Sequence, residues 1–244
     1  MRTTFEIFKR ELKSYFESPV AYVFLTVYLA LMGFLTFFYW KFYEQGQADL
    51  RPFFILFPWV YLLLVPAVSM RLWSEERRSQ TIEILLTLPV TLGQAVVGKF
   101  LAAWAFLGLA LALTFPVVIT TAALGDPDNG TVIGGYLACF LLVGTYLSVG
   151  NVMSAMTRNQ VISFVLAVVA CLSLVLLGFY PFTDLLVKWA PGWFVDAVSS
   201  FGVMRYFDSM VRGVLDIRDI GYHVSVIAVM LTATHVILNN KKSA

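Results

Sequence analysis

Charge is what this sequence has least of. Only 13% of its 244 residues are Asp, Glu, Lys or Arg, against about 25% in soluble globular domains. With 59% hydrophobic residues and a mean hydropathy of +0.80, a soluble domain is excluded and an integral membrane protein is expected. Cysteine is also scarce. Cys139 and Cys171 both fall in apolar runs without metal-ligand spacing, which argues against a disulfide framework or a thiolate metal site. The chain has two histidines and lacks H-E-x-x-H, G-x-S-x-G or any cluster of His, Cys and carboxylates at catalytic spacing. No catalytic, cofactor-binding or metal-binding residue is assigned, and the chain is not expected to be an enzyme. A net charge of +2 is too small to argue for nucleic acid.

The apolar runs themselves hold almost no ionisable residues. Ion-coupled carriers need a polar relay at membrane depth, so a self-contained ion-driven carrier is disfavoured. Lys99 and His235 stand near the ends of their runs, where each is expected to reach an interface by snorkelling. "GQAVVGK", Gly93 to Lys99, fits the G-x-x-x-x-G-K string of a phosphate-binding loop. Phe100 follows where Ser or Thr is needed, and the segment opens an apolar run rather than a soluble helix. Asp126 and Asp128 in "GDPDNG" lack the further oxygen ligands of a calcium loop and read as a tight turn.

What is present is length of apolar run. A bilayer core of roughly 30 Å needs about 20 mainly apolar residues per helix. Six windows qualify, at about Val20–Tyr39, Phe53–Met70, Val96–Leu124, Val132–Met153, Val161–Tyr180 and Ile220–Leu238. They are continuous rather than alternating, which excludes a transmembrane barrel. The fold expected is an all-α integral membrane protein with six transmembrane helices. The first run is too long for a cleaved leader and no A-x-A-like site follows it. Placing the amino terminus in the cytoplasm collects Arg2, Lys9, Arg10, Lys13, Arg71, Arg77, Arg78, Lys99, Arg158, Lys241 and Lys242 inside, eleven of the 17 Lys and Arg. Both termini are therefore expected to be cytoplasmic, by the excess of basic residues in short inner loops. Residues 1–19 form one region and the six-span domain covers 20–244, with an inner loop at 71–95 and an external segment at 181–219.

Before the first run, Phe5, Phe8, Leu12, Tyr15 and Phe16 recur at helical spacing, with Lys9, Arg10, Lys13 and Glu17 on another side. This predicts an amphipathic helix, either resting on anionic lipid or packing on a cytoplasmic partner. The inner loop, "MRLWSEERRSQTIEILLTLPV" from Met70, carries a second device. The second span can continue through Glu75, Glu76, Arg77 and Arg78. Thr81 to Leu88 then makes about two turns with Ile82, Leu85 and Leu86 on one face, and Pro89 stops it. Thr91 with Gln94 forms a capping box that starts the third span. A two-turn helix needs a surface to be stable. That surface is either the lipid interface or a groove on a cytoplasmic protein.

The string Arg71, Glu75, Glu76, Arg77, Arg78, Thr81, Ile82, Glu83, Leu85, Leu86, Thr87, Pro89 resembles the cytoplasmic loop of ABC-2 type permeases, with Gln80 where relatives commonly have Gly. "FPWVYLLLVPAVSMR" from Phe57, "LGDPDNG" from Leu124, "TRNQVIS" from Thr157 and "FDSMVRGVLDIRD" from Phe207 resemble the F-type permease branch of gliding-motility-associated ABC transporters. The resemblance implies a six-span half-transporter in the bacterial inner membrane, paired with a second permease copy or paralogue and with two ABC ATPase subunits. Those ATPases would hold the ATP and magnesium. It makes the loop helix a coupling helix, with Glu75, Glu76, Arg77, Arg78, Thr81, Ile82, Glu83, Leu85 and Leu86 docking the ATPase. The same reading gives a secondary cytoplasmic interface at Phe5, Phe8, Lys9, Leu12, Lys13 and Phe16. The implied function is ATP-driven export. The alternative is a membrane anchor that transmits force to an extracytoplasmic gliding-type partner without solute transport. Short helices capping the outer leaflet are implied for 181–219, whereas Trp189 and Trp193 read physically as an interfacial belt.

Overall fold

The computed structural model describes residues 2–45, 48–79, 91–188 and 190–240. Among them every regular element is helical, and six runs are long and apolar enough to cross a membrane: Pro19–Glu44, Arg51–Arg78, Leu92–Leu124, Asn129–Met156, Gln160–Gly178 and Ile217–Asn240. The chain is thus an all-α, multi-pass membrane protein. An even number of crossings puts both chain ends at one face, called here the terminal face.

The sequence windows fall on these runs, but proline divides two of them. The third is α6 (Leu92–Ala112) and α7 (Pro116–Leu124), because Pro116 has no N–H to continue the helix and is placed at the start of the next one. The second consists of α3 (Arg51–Ile55), α4 (Phe57–Ser69) and α5 (Arg71–Arg78), with Pro58 opening α4 and Pro66 inside it. The first is α2 (Pro19–Phe34), opened by the Ser18 hydroxyl accepting from the Val20 N–H and continued by a π-turn at Leu35–Tyr39. A single turn of 3₁₀ helix, Phe42–Gln45, follows.

The fourth span, α8 (Asn129–Met156), is the hub: 78% of its most apolar stretch is buried, against 22% for the first and fifth spans and 17% for the sixth. Its sequence explains why. Gly, Ala, Ser and Thr recur along it and let neighbours approach, the usual basis of helix association in lipid where apolar contact alone gives no preference. Asp128 caps it, accepting from Thr131 Oγ1 at 2.8 Å and the Gly130 N–H at 2.9 Å. Those bonds, Thr131's foremost, hold the Asp128 carboxyl below the usual carboxylate range, so the cap weakens only as pH falls through that lowered value. Around α8 lie α9 (Gln160–Gly178), α13 (Ile217–Asn240), α4 and α6. Tyr28 and Tyr61 hydroxyls meet at 3.1 Å and join the first span to the second.

Between the fifth and sixth spans the chain forms α10 (Tyr180–Val187), α11 (Gly192–Ser200) and α12 (Val203–Val211). Trp193 is 72% exposed, and Trp189 lies outside the described residues. Phe207 differs. It is fully buried with Val203 and Met210, because α12 packs against α8 and α9 and belongs to the core.

Gly150 of α8 faces Ser69 so closely that a Cβ would collide with the Ser69 hydroxyl, whereas a Cβ on Gly33 meets nothing within 4 Å. Gly150→Ala is expected to lower stability by about 1–3 kcal/mol through overpacking. Gly33→Ala should raise it by about 0.5–1 kcal/mol through helix propensity. Denaturation of each variant in the same detergent measures both.

Candidate functional site: a charged joint at the terminal face

Helix α1 (Arg2–Glu17) lies along the start of α6. Gly98 permits this, since a Cβ there would stand 2.8 Å from Ile7 Cγ2 and 3.2 Å from the Thr4 carbonyl. One turn after Ile7, Glu11 turns inward. The residue it meets is Lys99, which is 5% exposed rather than extended to the interface, so the snorkelling expectation does not hold. Lys99 Nζ sits 2.7 Å from Glu76 Oε1 and 3.4 Å from Glu11 Oε2, and 5.5 Å from the centre of the Trp73 ring. An ammonium withdrawn from water needs counter-charge, and two carboxylates at 21% exposure supply it. The ring face adds about 0.5–2 kcal/mol of cation–π attraction.

Trp73 is held in turn by α8. Its Nε1 donates to Asn151 Oδ1 at 2.6 Å. Its backbone N–H and that of Ser74 donate to Ser154 Oγ at 3.0 and 3.1 Å, while that hydroxyl donates to the Met70 carbonyl at 3.0 Å. The second span breaks between α4 and α5 at Met70, which frees these backbone groups from the helix ladder. One serine on the neighbouring span satisfies all three. Arg77 completes the joint by donating to the Ala155 carbonyl at 2.6 Å, covering an open carbonyl in the last turn of α8.

Of the charged residues read from sequence, Glu76 and Arg77 are therefore turned into the joint, while Glu75 and Arg78 remain exposed at the surface. Thr81, Ile82, Glu83, Leu85 and Leu86, the proposed coupling helix, lie outside the described residues. On α1, Leu12 and Phe16 pack on the core, Phe8 is half-buried and stacks on Phe5, and Phe5, Lys9 and Lys13 are exposed. Helix α6 covers the side of α1 that carries Ile7, Glu11 and Tyr15 and leaves Phe5, Lys9 and Lys13 open. The sequence reading missed Ile7, Glu11, Tyr15 as a packing residue on Phe106 (ring centres 4.9 Å apart), and the Trp73–Asn151–Ser154 set. A lysine inside an apolar run was the available signal, since it demands acidic partners.

A cavity of about 570 Å³ opens beside the joint, lined by Glu11, Tyr15, Arg71, Glu75, Glu76 and Lys99 at its polar side and by Phe24, Val68 and Phe106 at its apolar side. Burial pushes the Tyr15 hydroxyl up, so it stays protonated.

The residues flanking 80–90 are thus welded: α5 to α8 by Trp73 and Arg77, and α5 to α6 and α1 by Lys99. The class the fold defines is a six-span helical membrane protein with a helix before its first span braced against the helix ends that flank residues 80–90. The family model described as ABC-2 family transporter protein matches residues 41–187, and the chain belongs to that family. It is a permease of an ABC transporter, and membership implies an ABC ATPase subunit as partner. No curated protein matches the chain.

Lys99→Met strands two carboxylates, and with both partly solvated the expected loss of stability is about 1–3 kcal/mol, below the 3–5 kcal/mol of a fully buried pair. Glu76→Gln should cost more than Glu11→Gln, in line with 2.7 against 3.4 Å. Unfolding of the three variants in parallel measures the order.

Proposed function

We propose that the chain is the permease subunit of an ATP-driven export complex in a bacterial inner membrane, with both termini cytoplasmic. Two ABC ATPase subunits dock on residues 71–95, and a second permease copy or paralogue completes the pathway. The joint supports this reading. Because Lys99 clamps the two helices that flank residues 80–90, a push delivered there by a closing ATPase pair moves the second and third spans together with α8 instead of bending a loop. Closure then biases the equilibrium between two arrangements of the spans. Among the described residues of this set, exposed Glu75 and Arg78 are free to meet the ATPase, and the sequence pattern proposes Thr81, Ile82, Glu83, Leu85 and Leu86 as the docking segment. Phe5, Lys9 and Lys13, exposed on α1, extend the same surface.

The mechanical alternative uses the same joint to drive an extracytoplasmic gliding-type partner through α10 to α12, with nothing crossing the membrane. Two measurements separate these readings. Leu85→Asp together with Leu86→Asp should abolish co-purification of the ATPase while the permease still inserts; undiminished recovery refutes docking at this loop. The assembled complex in proteoliposomes should move a solute or lipid only with ATP, and ATP turnover without any movement favours the mechanical reading.

A further inference from the structure

The cavity beside the joint is graded from polar to apolar along the direction of the spans. Its polar lining comes from the end of α1 and from α5, where the apolar runs give way to charge, and its apolar lining, Phe24, Val68 and Phe106, comes from within the first three spans. Lys99 and Phe106 both line it from α6. At 1.5 Å of rise per residue the helix carries the second about 10 Å deeper than the first. One end of the cavity therefore lies at the depth of lipid headgroups and the other at that of acyl chains.

It opens toward lipid. The first span packs loosely, with 22% of its most apolar stretch buried, and Val20 at the cavity is 51% exposed. At greater depth the Phe24 and Phe106 rings close to 5.6 Å between centres, and one turn further along α2 the Tyr28 hydroxyl meets that of Tyr61. The wedge between the first and second spans is thus shut inside the membrane and open at its polar end. Its volume, about 570 Å³, falls within the roughly 300–1,000 Å³ of small-molecule sites. That is room for a headgroup and the start of its chains.

The charges select the headgroup. Lys99 is committed to Glu76 and Glu11. Arg71 and Glu75 line the same cavity, are both exposed, and take part in none of the ion pairs among the described residues. They stand four residues apart on α5, so their Cβ atoms are about 5–6 Å apart on one side. A cation and an anion so spaced complement a ligand whose phosphate and ammonium are two carbons apart, which is phosphoethanolamine. Ser14 and Ser18 line the polar end as well. The Ser18 oxygen accepts from the Val20 N–H and still has its own hydrogen to give to a phosphate. An anionic headgroup fits worse, because it adds a negative charge to a lining that already sets Glu11, Glu75 and Glu76 against Arg71 and Lys99. A choline headgroup carries the positive charge but has no N–H to donate.

We propose that this wedge binds a zwitterionic phospholipid with a primary-amine headgroup, drawn from the leaflet at the terminal face. Arg71 holds the phosphate, Glu75 accepts from the ammonium, and the chains leave past Val20 along α2. A carboxylate has lone pairs for more than one donor, so Glu75 can hold the amine from the surface on which it meets the ATPase. The lipid fills the space between the first and second spans beside the joint and leaves the Lys99 ion pairs as they are. The site needs the permease alone, so it stands or falls separately from ATPase docking.

The full chain, purified and delipidated in detergent, is offered an equal mixture of phosphatidylethanolamine, phosphatidylcholine and phosphatidylglycerol with identical chains. Retained lipid and oligomeric state are read by native mass spectrometry. One phosphatidylethanolamine per chain is expected, favoured about five- to tenfold over the other two, as a charge-assisted contact at a partly solvated site allows. Glu75→Ala should bring it down to the level of phosphatidylcholine, and Arg71→Ala should lower retention of all three. Arg78→Ala, an exposed arginine of the same helix that does not line the cavity, should change nothing. Equal retention of the three lipids, preference for phosphatidylglycerol, or an amine preference that survives Glu75→Ala overturns the proposal. Displacement of the lipid by inorganic phosphate would make this a phosphate site, and a dimer that forms as lipid is lost would assign the wedge to a second copy; either result refutes it.

Discussion

A lysine ammonium buried to 5% exposure in an apolar run dictates much of the terminal face. Its desolvation has to be offset by opposite charge, and the chain brings two carboxylates to it from different elements, Glu11 from α1 and Glu76 from the end of the second span. The consequence is geometric as much as energetic. Three elements distant in sequence are pinned at one atom, and the loop that joins two of them leaves from a fixed base. Among the described residues some polar groups at this face are used more than once: Ser154 alone serves three backbone groups at the Met70 break.

The pinned elements share α8 as their backing. Lipid-facing helices can slide on one another with little change in apolar contact, so defined positions in a membrane come from close approach and from hydrogen bonds. Here both occur along one span. Gly150 admits Ser69 near the terminal face, Asn151 and Ser154 hold Trp73 one turn further, and Thr145 holds His223 toward the other side. These contacts run along α8 from the terminal face to α13.

The spans were legible in the sequence because hydropathy over about 20 residues is a strong signal, and the Thr91–Gln94 capping box was read correctly from two residues. Breaks inside spans were less visible. Pro116 divides the third run, yet composition alone counts it as one apolar stretch. The joint was half legible. Glu76 and Arg77 were among the charges singled out, but whether Glu76 faces a partner or Lys99 depends on which sides of two helices meet, and no spacing within one segment encodes that. The same limit hid Ile7 and Glu11, which lie beside the aromatic stripe that suggested a helix resting on lipid or on a partner. Burial of α12 was not read from the sequence, because Val203, Phe207 and Met210 face the core while Arg205 stays exposed, and only the packed neighbours decide which side is which.

If the joint transmits force, α1 and the two helices flanking residues 80–90 have to move as one body. Pulsed EPR distances among labels at Lys13, Arg78 and Thr91, exposed positions on α1, at the end of α5 and at the cap of α6, test this in the complex with its ATPase. With a label pair across the ends of the sixth and fifth spans at the face opposite the chain ends as the moving reference, the account requires the three joint distances to stay constant between nucleotide-free and ATP-trapped states while the reference pair shifts. A change in the Lys13–Thr91 or Arg78–Thr91 distance as large as that of the reference pair would contradict it.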